Sequence, residues 1–381
     1  MEKKLLFKKE IGWENFIFII CFFGFFVGVG SVMGGVNMIK TMMETGFDLL
    51  INICFYLMAV AVLAGAVSGL FSEFGVVALI NALLSKLMKP LYDLPGASSL
   101  GVLNCFLSDN PAILTFADDD NFRRYFKQYQ LPALTNLGTA FGMGLITTTA
   151  MMGLNVKSAI PAALIGNLGA VAGSIVSVRL MIHFSKKLYG KDTFVSTRNV
   201  ESVPEKMRTV REGNAGARFI QAMLDGGKSG INMGLAIIPG VVIICTIVIM
   251  LTNGPSADGT YTGAAREGIA LLPWIGKKLS FILNPVYGFS APEAISVPIT
   301  ALGSTGAALG IVKNMSMAGK VTANDIAVFT AICMCWSGYI STHIAMMDAL
   351  DTKELTGKAI FSHTVGGLFA GFVAHLLAFM L

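Results

Sequence analysis

Charge is scarce in this chain. Of its 381 residues only 13% are Asp, Glu, Lys or Arg, about half the ~25% of an average soluble protein. A soluble globular enzyme, a disordered protein and a nucleic-acid binder are excluded on that ground. Paired cysteine motifs are absent too. The six cysteines (Cys21, Cys54, Cys105, Cys245, Cys333 and Cys335) lie inside apolar stretches and none forms a CxxC pair. That excludes a zinc ribbon or a redox motif and leaves them as apolar packing residues. No phosphate-binding loop of the form GxxxxGK followed by Ser or Thr is present, so direct ATP drive is unsupported. Neither HExxH nor a Ser/Lys pair supplies an intramembrane enzyme with a catalytic set. Heptads and a disulfide framework are also missing.

Apolar residues are abundant. Hydrophobic side chains make up 54% of the chain, with 42 Gly besides. This composition indicates an all-α integral membrane protein. A crossing needs about 20 apolar residues for ~30 Å of hydrocarbon. Seven stretches qualify: about 15–39, 47–70, 131–153, 158–183, 230–252, 325–347 and 358–380. Lys3, Lys4, Lys8 and Lys9 precede the first. That run is longer than a signal-peptide core of about 7–15 residues, so it reads as a retained helix with a cytoplasmic N-terminus.

Two apolar stretches are interrupted. Residues 96–117 break at Ser108-Asp109-Asn110-Pro111, and residues 288–312 at Gly303-Ser304-Thr305-Gly306. Each half has about 8–11 residues, or roughly 12–16 Å of helix, which is half a bilayer. Both read as re-entrant hairpins, whose irregular tips must be satisfied by protein or a watery cavity. An amphipathic stretch precedes each, Phe71 to Lys89 and Glu267 to Leu283, as expected of helices lying in the interface plane. The polar segment 185–218 carries eight Lys and Arg residues. It reads as a cytoplasmic loop that sets topology, with a lipid-headgroup contact as the sharper alternative. Counting crossings opens the first hairpin to the cytoplasm, beside Arg123, Arg124 and Lys127. The 253–266 loop, the mouth of the second hairpin and the C-terminus then lie outside. Lys313 and Lys320, placed outside, run against the positive-inside rule.

The two interrupted regions align at an offset of 195. Pro90 and Tyr92 fall on Pro285 and Tyr287, Thr135 on Thr330, Thr147 on Thr342, and Ala150-Met151-Met152 on Ala345-Met346-Met347. The element order also repeats: spanning helix, interfacial helix, re-entrant hairpin, two spanning helices. Three full crossings per unit make the second copy an inverted repeat of the first. The organisation expected is an N-terminal segment and scaffold helix 1–46, repeat 1 over 47–184, the loop 185–218 and repeat 2 over 219–381. Inverted repeats with broken helices are the plan of secondary transporters, where helix ends at the breaks offer free N–H and C=O groups to a ligand.

The motifs LSDNPAIL and YGFSAPEAISVPITALGSTGAALGIV, with the polar-centred helix after the second, resemble the bacterial nucleoside-recognition, or Gate-domain, membrane proteins. Their layout is similar to that of the concentrative nucleoside transporters. The resemblance covers about residues 47–381. It implies a transport domain of two hairpins and their following broken helices, a scaffold that assembles as a homo-oligomer (trimer or dimer), and a multi-pass protein of the bacterial cytoplasmic membrane. The implied function is elevator-type symport of a small polar solute, nucleoside-like, amine or amino-acid-like, coupled to Na⁺ or H⁺. The expected partners are the lipid bilayer and that solute, with no nucleic acid and no enzymatic activity. The alternative is a non-transport membrane scaffold. Where true nucleoside carriers have a Gln-Thr-Glu hairpin signature, this hairpin has Ser108-Asp109-Asn110-Pro111.

Asp109 is the sharpest candidate. An ionisable group near the midplane costs roughly 2.5–3.5 kcal/mol on insertion scales. It either holds Na⁺, a coupled proton or a cationic solute group, or caps the half-helix beginning at Pro111 with Asn110. Asn104, Ser108, Asn110 and Thr115 surround it, and Ser304 and Thr305 form the opposing tip. These suit a polar solute or a hard cation, or else bond their own backbone. Glu293 follows Pro292, in the position of an acid in a first helical turn or of a ligand contact. After the hairpins, Gly142-Met143-Gly144 with Thr147 and Thr148 aligns with Ser337-Gly338-Tyr339 and Ser341-Thr342-His343. The clusters predict local unwinding and make these residues site candidates. His343 is placed to carry protons or to sit as a hydrogen-bonded interior residue. Asn136, Trp336 and Tyr339 shape the pocket or simply pack, and Asn167 bonds a neighbouring helix. His183, His363 and His375 are expected at the interface, and Asp118-Asp119-Asp120 is read as a solvated cap.

Overall fold

A computed structural model describes residues 9–108, 113, 125–191, 193, 195, 210–256, 258–337 and 339–381, with Met233, Ala236, Ile237, Ile340 and Ser341 described by backbone alone. The architecture is all-helical, and no strand occurs among the described residues.

Helix α1 (Trp13–Met33) stops at Gly34, whose φ of +81° needs a residue without a Cβ. The run predicted over 15–39 is therefore divided. Helix α2 then extends unbroken over Gly35–Glu73, 39 residues, including a π turn at Leu49–Cys54. Val29 and Met33 are the buried residues of α1, while Trp13, Phe16, Phe18 and Phe23 are exposed, as suits lipid contact. Gly75, at φ +76°, ends that run. Helix α3 (Val76–Tyr92) follows, then α4 (Ser98–Leu107). Next come α5 (Ala133–Ala140), α6 (Gly144–Met152) and the long α7 (Ala159–Tyr189). The second half begins with α8, which runs Ala215–Gly240, passes through a π turn at Val241–Cys245 and continues over Thr246–Thr252. It proceeds through α9 (Leu271–Tyr287) and a 3₁₀ turn, Pro292–Ile295, into α10 (Ser296–Ala301). It ends with α11 (Thr305–Met317), α12 (Ala323–Cys335), α13 (Tyr339–Ala349) and α14 (Thr356–Ala378).

The repeat is visible in the element boundaries. α3 and α9 are both 17 residues long and start at 76 and 271, the same displacement of 195. Each carries a Pro in its last turn and stops at a left-handed residue, Asp93 (φ 56°) or Gly288 (φ 61°). The spans predicted at 131–153 and 325–347 are each two short helices. α5 ends at 140 and α6 starts at 144; α12 ends at 335 and α13 starts at 339. Among the described residues, four helices are long and apolar enough to cross a membrane unbroken: Trp13–Met33, Gly35–Glu73, Ala159–Tyr189 and Lys353–Ala378.

α2 and α8 form the scaffold pair, and glycine makes their contact possible. Ala61, Gly65 and Gly69 recur every four residues on α2, and Ala222, Gly226, Gly230 and Gly234 on α8. A Cβ at Gly65 would stand 2.3 Å from the Gly226 carbonyl oxygen, and one at Gly230 2.3 Å from that of Ala61. Two backbones in such contact gain dispersion energy that lipid cannot supply. α7 and α14 pack in the same way, with Gly173 against Gly366.

Each mouth of this assembly is tied down. Asp93 accepts from Lys186 (2.6 Å) and Lys89. Burial alone would raise its carboxyl, but the two ammonium groups hold it below the ordinary value. In the 253–270 segment Glu267 accepts from Ser256 Oγ (2.5 Å), the Thr262 hydroxyl (2.8 Å) and the Gly263 N–H (3.0 Å). Its burial penalty is outweighed by these bonds, and its carboxyl is held down at about 2.

Candidate functional site

The second hairpin is built by its caps. Ser304 accepts from the Ala307 N–H at 3.2 Å, starting α11. Thr322 and Asp325 form a reciprocal capping box at the start of α12, and Asp325 also receives the Ser290 N–H at 3.2 Å. In the first hairpin α4 descends to Leu107. The buried Ile113 lies beside α4 and α5, since a Cβ at Gly101 or Gly138 would stand 2.7 Å from it. Asp109, Asn110 and Thr115, with Asp118-Asp119-Asp120, Arg123 and Arg124, lie outside the described residues.

The described ends of both hairpins face the same helix, α8. Leu107 and Ser108 line a cavity of about 260 Å³ with Ser68 and Ser72 of α2, Ile146 of α6, and Asp225, Gly226, Ser229 and Gly230 of α8. Arg211 stands at this cavity but is not a free cation. It pairs with Glu73 at 2.7 Å and with Asp225 at 3.1 Å, while Arg218 holds the other Glu73 oxygen at 2.6 Å. The lining thus combines hydroxyls and glycine backbone with a neutralised ionic rim, a surface suited to hydrogen-bonding an uncharged or zwitterionic polar solute. Ser304 touches α8 ten residues further on: a Cβ at Gly240 would stand 2.7 Å from its Oγ. At 1.5 Å per residue the two contacts lie roughly 15 Å apart along α8.

The helix breaks converge behind the tips. A Cβ at Gly144 would stand 2.2 Å from the Phe106 ring and 3.0 Å from Met334 Sδ, so the first hairpin, the start of α6 and the end of α12 meet there. Thr305 donates to the Cys333 carbonyl at 2.9 Å, fastening the second tip to the end of α12. Thr148 donates to Asn167 Oδ1 at 2.8 Å. Thr147 is fully buried and its hydroxyl has no hydrogen-bond partner among the described residues. Ser337 is buried in the α12–α13 break and Thr342 is half-buried; the side chain of Ser341 is not described. Asn104 is half-buried on α4, and its carbonyl accepts the Ser108 N–H at 2.9 Å.

His343 is fully buried, with its ring centroid 4.7 Å from that of His363. His363 is also fully buried. The expectation of an interfacial His363 is therefore overturned. The break after Cys335 exposes a carbonyl, and His363 on α14 is in register to bond it. His375 faces Asn324 Oδ1 at 2.7 Å, and His183 is exposed near the end of α7. Trp336 and Tyr339 are packing residues, donating to the His363 carbonyl (3.4 Å) and the Ile360 carbonyl (3.2 Å).

Glu293 stands apart from the tips. It pairs with Lys320 at 2.6 Å and lines a second cavity of about 210 Å³ with Arg266, Asn253 and Asn314. The arm through α10 separates it from Ser304. The pairing gives Lys320 its partner, while Lys313 lies over the Tyr56 ring. Asn314, whose two amide atoms have no partner among the described residues, carried no signal in the sequence. Among the described residues no group of three or more His, Cys, Asp or Glu could hold a metal ion.

No protein-family model and no curated protein matches the chain. Solved structures do. The chain is similar to the concentrative nucleoside transporter CNTnw in an inward-facing substrate-bound state, at 17% identity over 96% of this chain and 84% of that one, with a TM-score of 0.55. A doubly substituted CNTnw in an outward-facing state is similar at 17% identity over 97% and 85%, TM-score 0.55. A singly substituted form in an intermediate state is similar at 17% identity over 95% and 85%, TM-score 0.54. At these identities the likeness establishes the fold alone.

Proposed function

We propose that this chain is a secondary active transporter of a small polar solute, nucleoside-like, amine or amino-acid-like, driven by a Na⁺ or H⁺ gradient. In this reading the hairpins, α5–α6 and α12–α13 move as one body against α2 and α8, an elevator movement within a homo-oligomer in the bacterial cytoplasmic membrane. The domains are those of repeats 47–184 and 219–381, with 1–46 and 185–218 outside them, and the family is the Gate-domain group that LSDNPAIL and the second hairpin resemble. The solute is held by Asn104, Ser108, Asp109 and Asn110 from the first hairpin and by Ser304 and Thr305 from the second. Thr147, Thr148, Ser337, Ser341, Thr342 and His343 contribute from the breaks. Glu293 serves instead in the ion pair with Lys320.

One observation carries the reading. The second hairpin tip abuts α8, and the described end of the first, Leu107 and Ser108, opens on a hydroxyl-lined cavity of about 260 Å³ that α8 also lines. A membrane scaffold has no use for such a space, whereas alternating access requires one. The test is uptake into proteoliposomes across a broad metabolite panel, with Na⁺ and pH gradients imposed in turn. A solute that accumulates with a gradient, and whose uptake falls in Asp109→Asn, supports the proposal. Gradient-independent behaviour of the whole panel overturns it.

A further inference from the structure

The break between α12 and α13 leaves the carbonyl end of α12 short of helical partners, and two buried imidazoles stand there. We infer that His343 and His363 together bind the coupling proton, so that the driving ion is H⁺. The inference rests on the transport reading above and names the ion for it.

The hydrogen-bond pattern assigns the ring protons. The Cys335 carbonyl can only accept, so His363 Nε2 carries the hydrogen. His363 Nδ1 is then an acceptor and takes the Ser177 hydroxyl at 2.9 Å. The Ser177 oxygen in turn receives Asn136 Nδ2 at 2.9 Å. The carbonyl of Tyr339 likewise requires the hydrogen of His343 on Nδ1, 2.6 Å away. His343 Nε2 is left as a bare lone pair in a fully buried side chain, with no partner among the described residues. Asn136 Oδ1, at the other end of the chain of bonds, is also unpartnered there.

A bare acceptor in the interior is unfavourable, and a leucine would pack in its place without that penalty. That lone pair is the position in the pair at which a proton can arrive. Beside it His363 holds the last carbonyl of α12, the helix end at which the dipole favours positive charge. With the rings 4.7 Å apart the pair takes one proton, because a second would place like charges in contact. The groups facing the pair are few. α14 contributes His363 itself, α12 contributes Cys333 and Cys335, and α13 contributes Tyr339. α5, packed against α13, has no ionisable side chain in Ala133–Ala140. Asp348, at the far end of α13, is taken by Lys353 at 2.5 Å, and Glu354 by Tyr189. Asp325, at the start of α12, is taken by Ser290 and Thr322, and on α7 Arg179 turns to the Leu91 carbonyl and Lys186 to Asp93, so no free carboxylate among the described residues of these elements competes for the proton.

The pair also reaches the solute site. Cys335 and Tyr339, whose carbonyls the imidazoles hold, flank the break. Two residues upstream the Cys333 carbonyl receives Thr305 of the second hairpin tip. A proton on His343 therefore alters the end of α12 that anchors this tip.

The chain has four histidines, which makes the test direct. Full-length protein carrying His183→Gln and His375→Gln, labelled with ¹⁵N-histidine in lipid nanodiscs, reports on the core pair alone. Imidazole nitrogen shifts between about pH 5 and 8 should show one proton taken up per pair. Two neutral imidazoles throughout that range overturn the inference. In proteoliposomes, uptake of whichever panel solute is transported should follow the pH gradient and fall about tenfold in His343→Gln. Uptake driven by Na⁺ at zero pH gradient sinks the proton site and leaves the transport reading intact. A pair that titrates in a protein without any uptake supports the site and removes the transport reading.

Discussion

The two hairpins are copies of one unit, yet their tips meet the scaffold differently. The first ends at Ser108 over a cavity whose rim is the Glu73, Arg211, Arg218 and Asp225 cluster. The second ends at Ser304 against the backbone of Gly240, beside the π turn of α8. A similar local sequence thus supplies a polar tip in each half, and the scaffold decides whether that tip faces space or protein. The open side is that of Arg211 and Arg218.

The comparison can be broken most severely at the seam that creates the cavity. Gly226→Leu places a side chain where a Cβ already stands 2.2 Å from the Gly65 carbonyl oxygen. The α2–α8 contact cannot form, and size-exclusion chromatography in detergent should recover little folded protein. Glu73→Gln leaves Arg211 and Arg218 at the rim without their charge partner. The thermal unfolding midpoint should fall. Gly240→Leu attacks the second tip alone. Overpacking there should cost about 1–3 kcal/mol, while Ser108→Ala, facing the cavity, should stay within about 0.5 kcal/mol. Equal effects of these two would remove the asymmetry. The smallest and sharpest change is in acid. Glu267 stabilises the second mouth with a carboxyl held at about 2 against an ordinary 4.5. Its contribution is complete above the ordinary value and disappears as pH falls through the lower one. Unfolding followed from pH 5 down to about 2 should show that loss, and Glu267→Gln should abolish this part of the pH dependence.

Much of this was legible before any coordinates. The offset of 195 read from Pro90 and Pro285 is the displacement of whole helices, because a proline near a helix end and the polar residues that cap or break helices act locally. The unwinding at 141–143 and 336–337 was legible for the same reason. Partnership was not. His363 looked like an end-of-helix residue until the α12 break placed an orphan carbonyl beside it. Glu293 had the pattern of a capping or binding acid, but Lys320, 27 residues away, claims it. Gly240 was one glycine among many.

By itself the amino-acid order determined that the chain is helical, apolar and duplicated, and where the paired helices break, since hydrophobic length and capping depend on neighbours within a turn or two. Only the tertiary structure decided which polar groups are paired and which stand over a cavity. Those outcomes turn on distances between helices far apart in sequence, set by where glycine lets backbones touch.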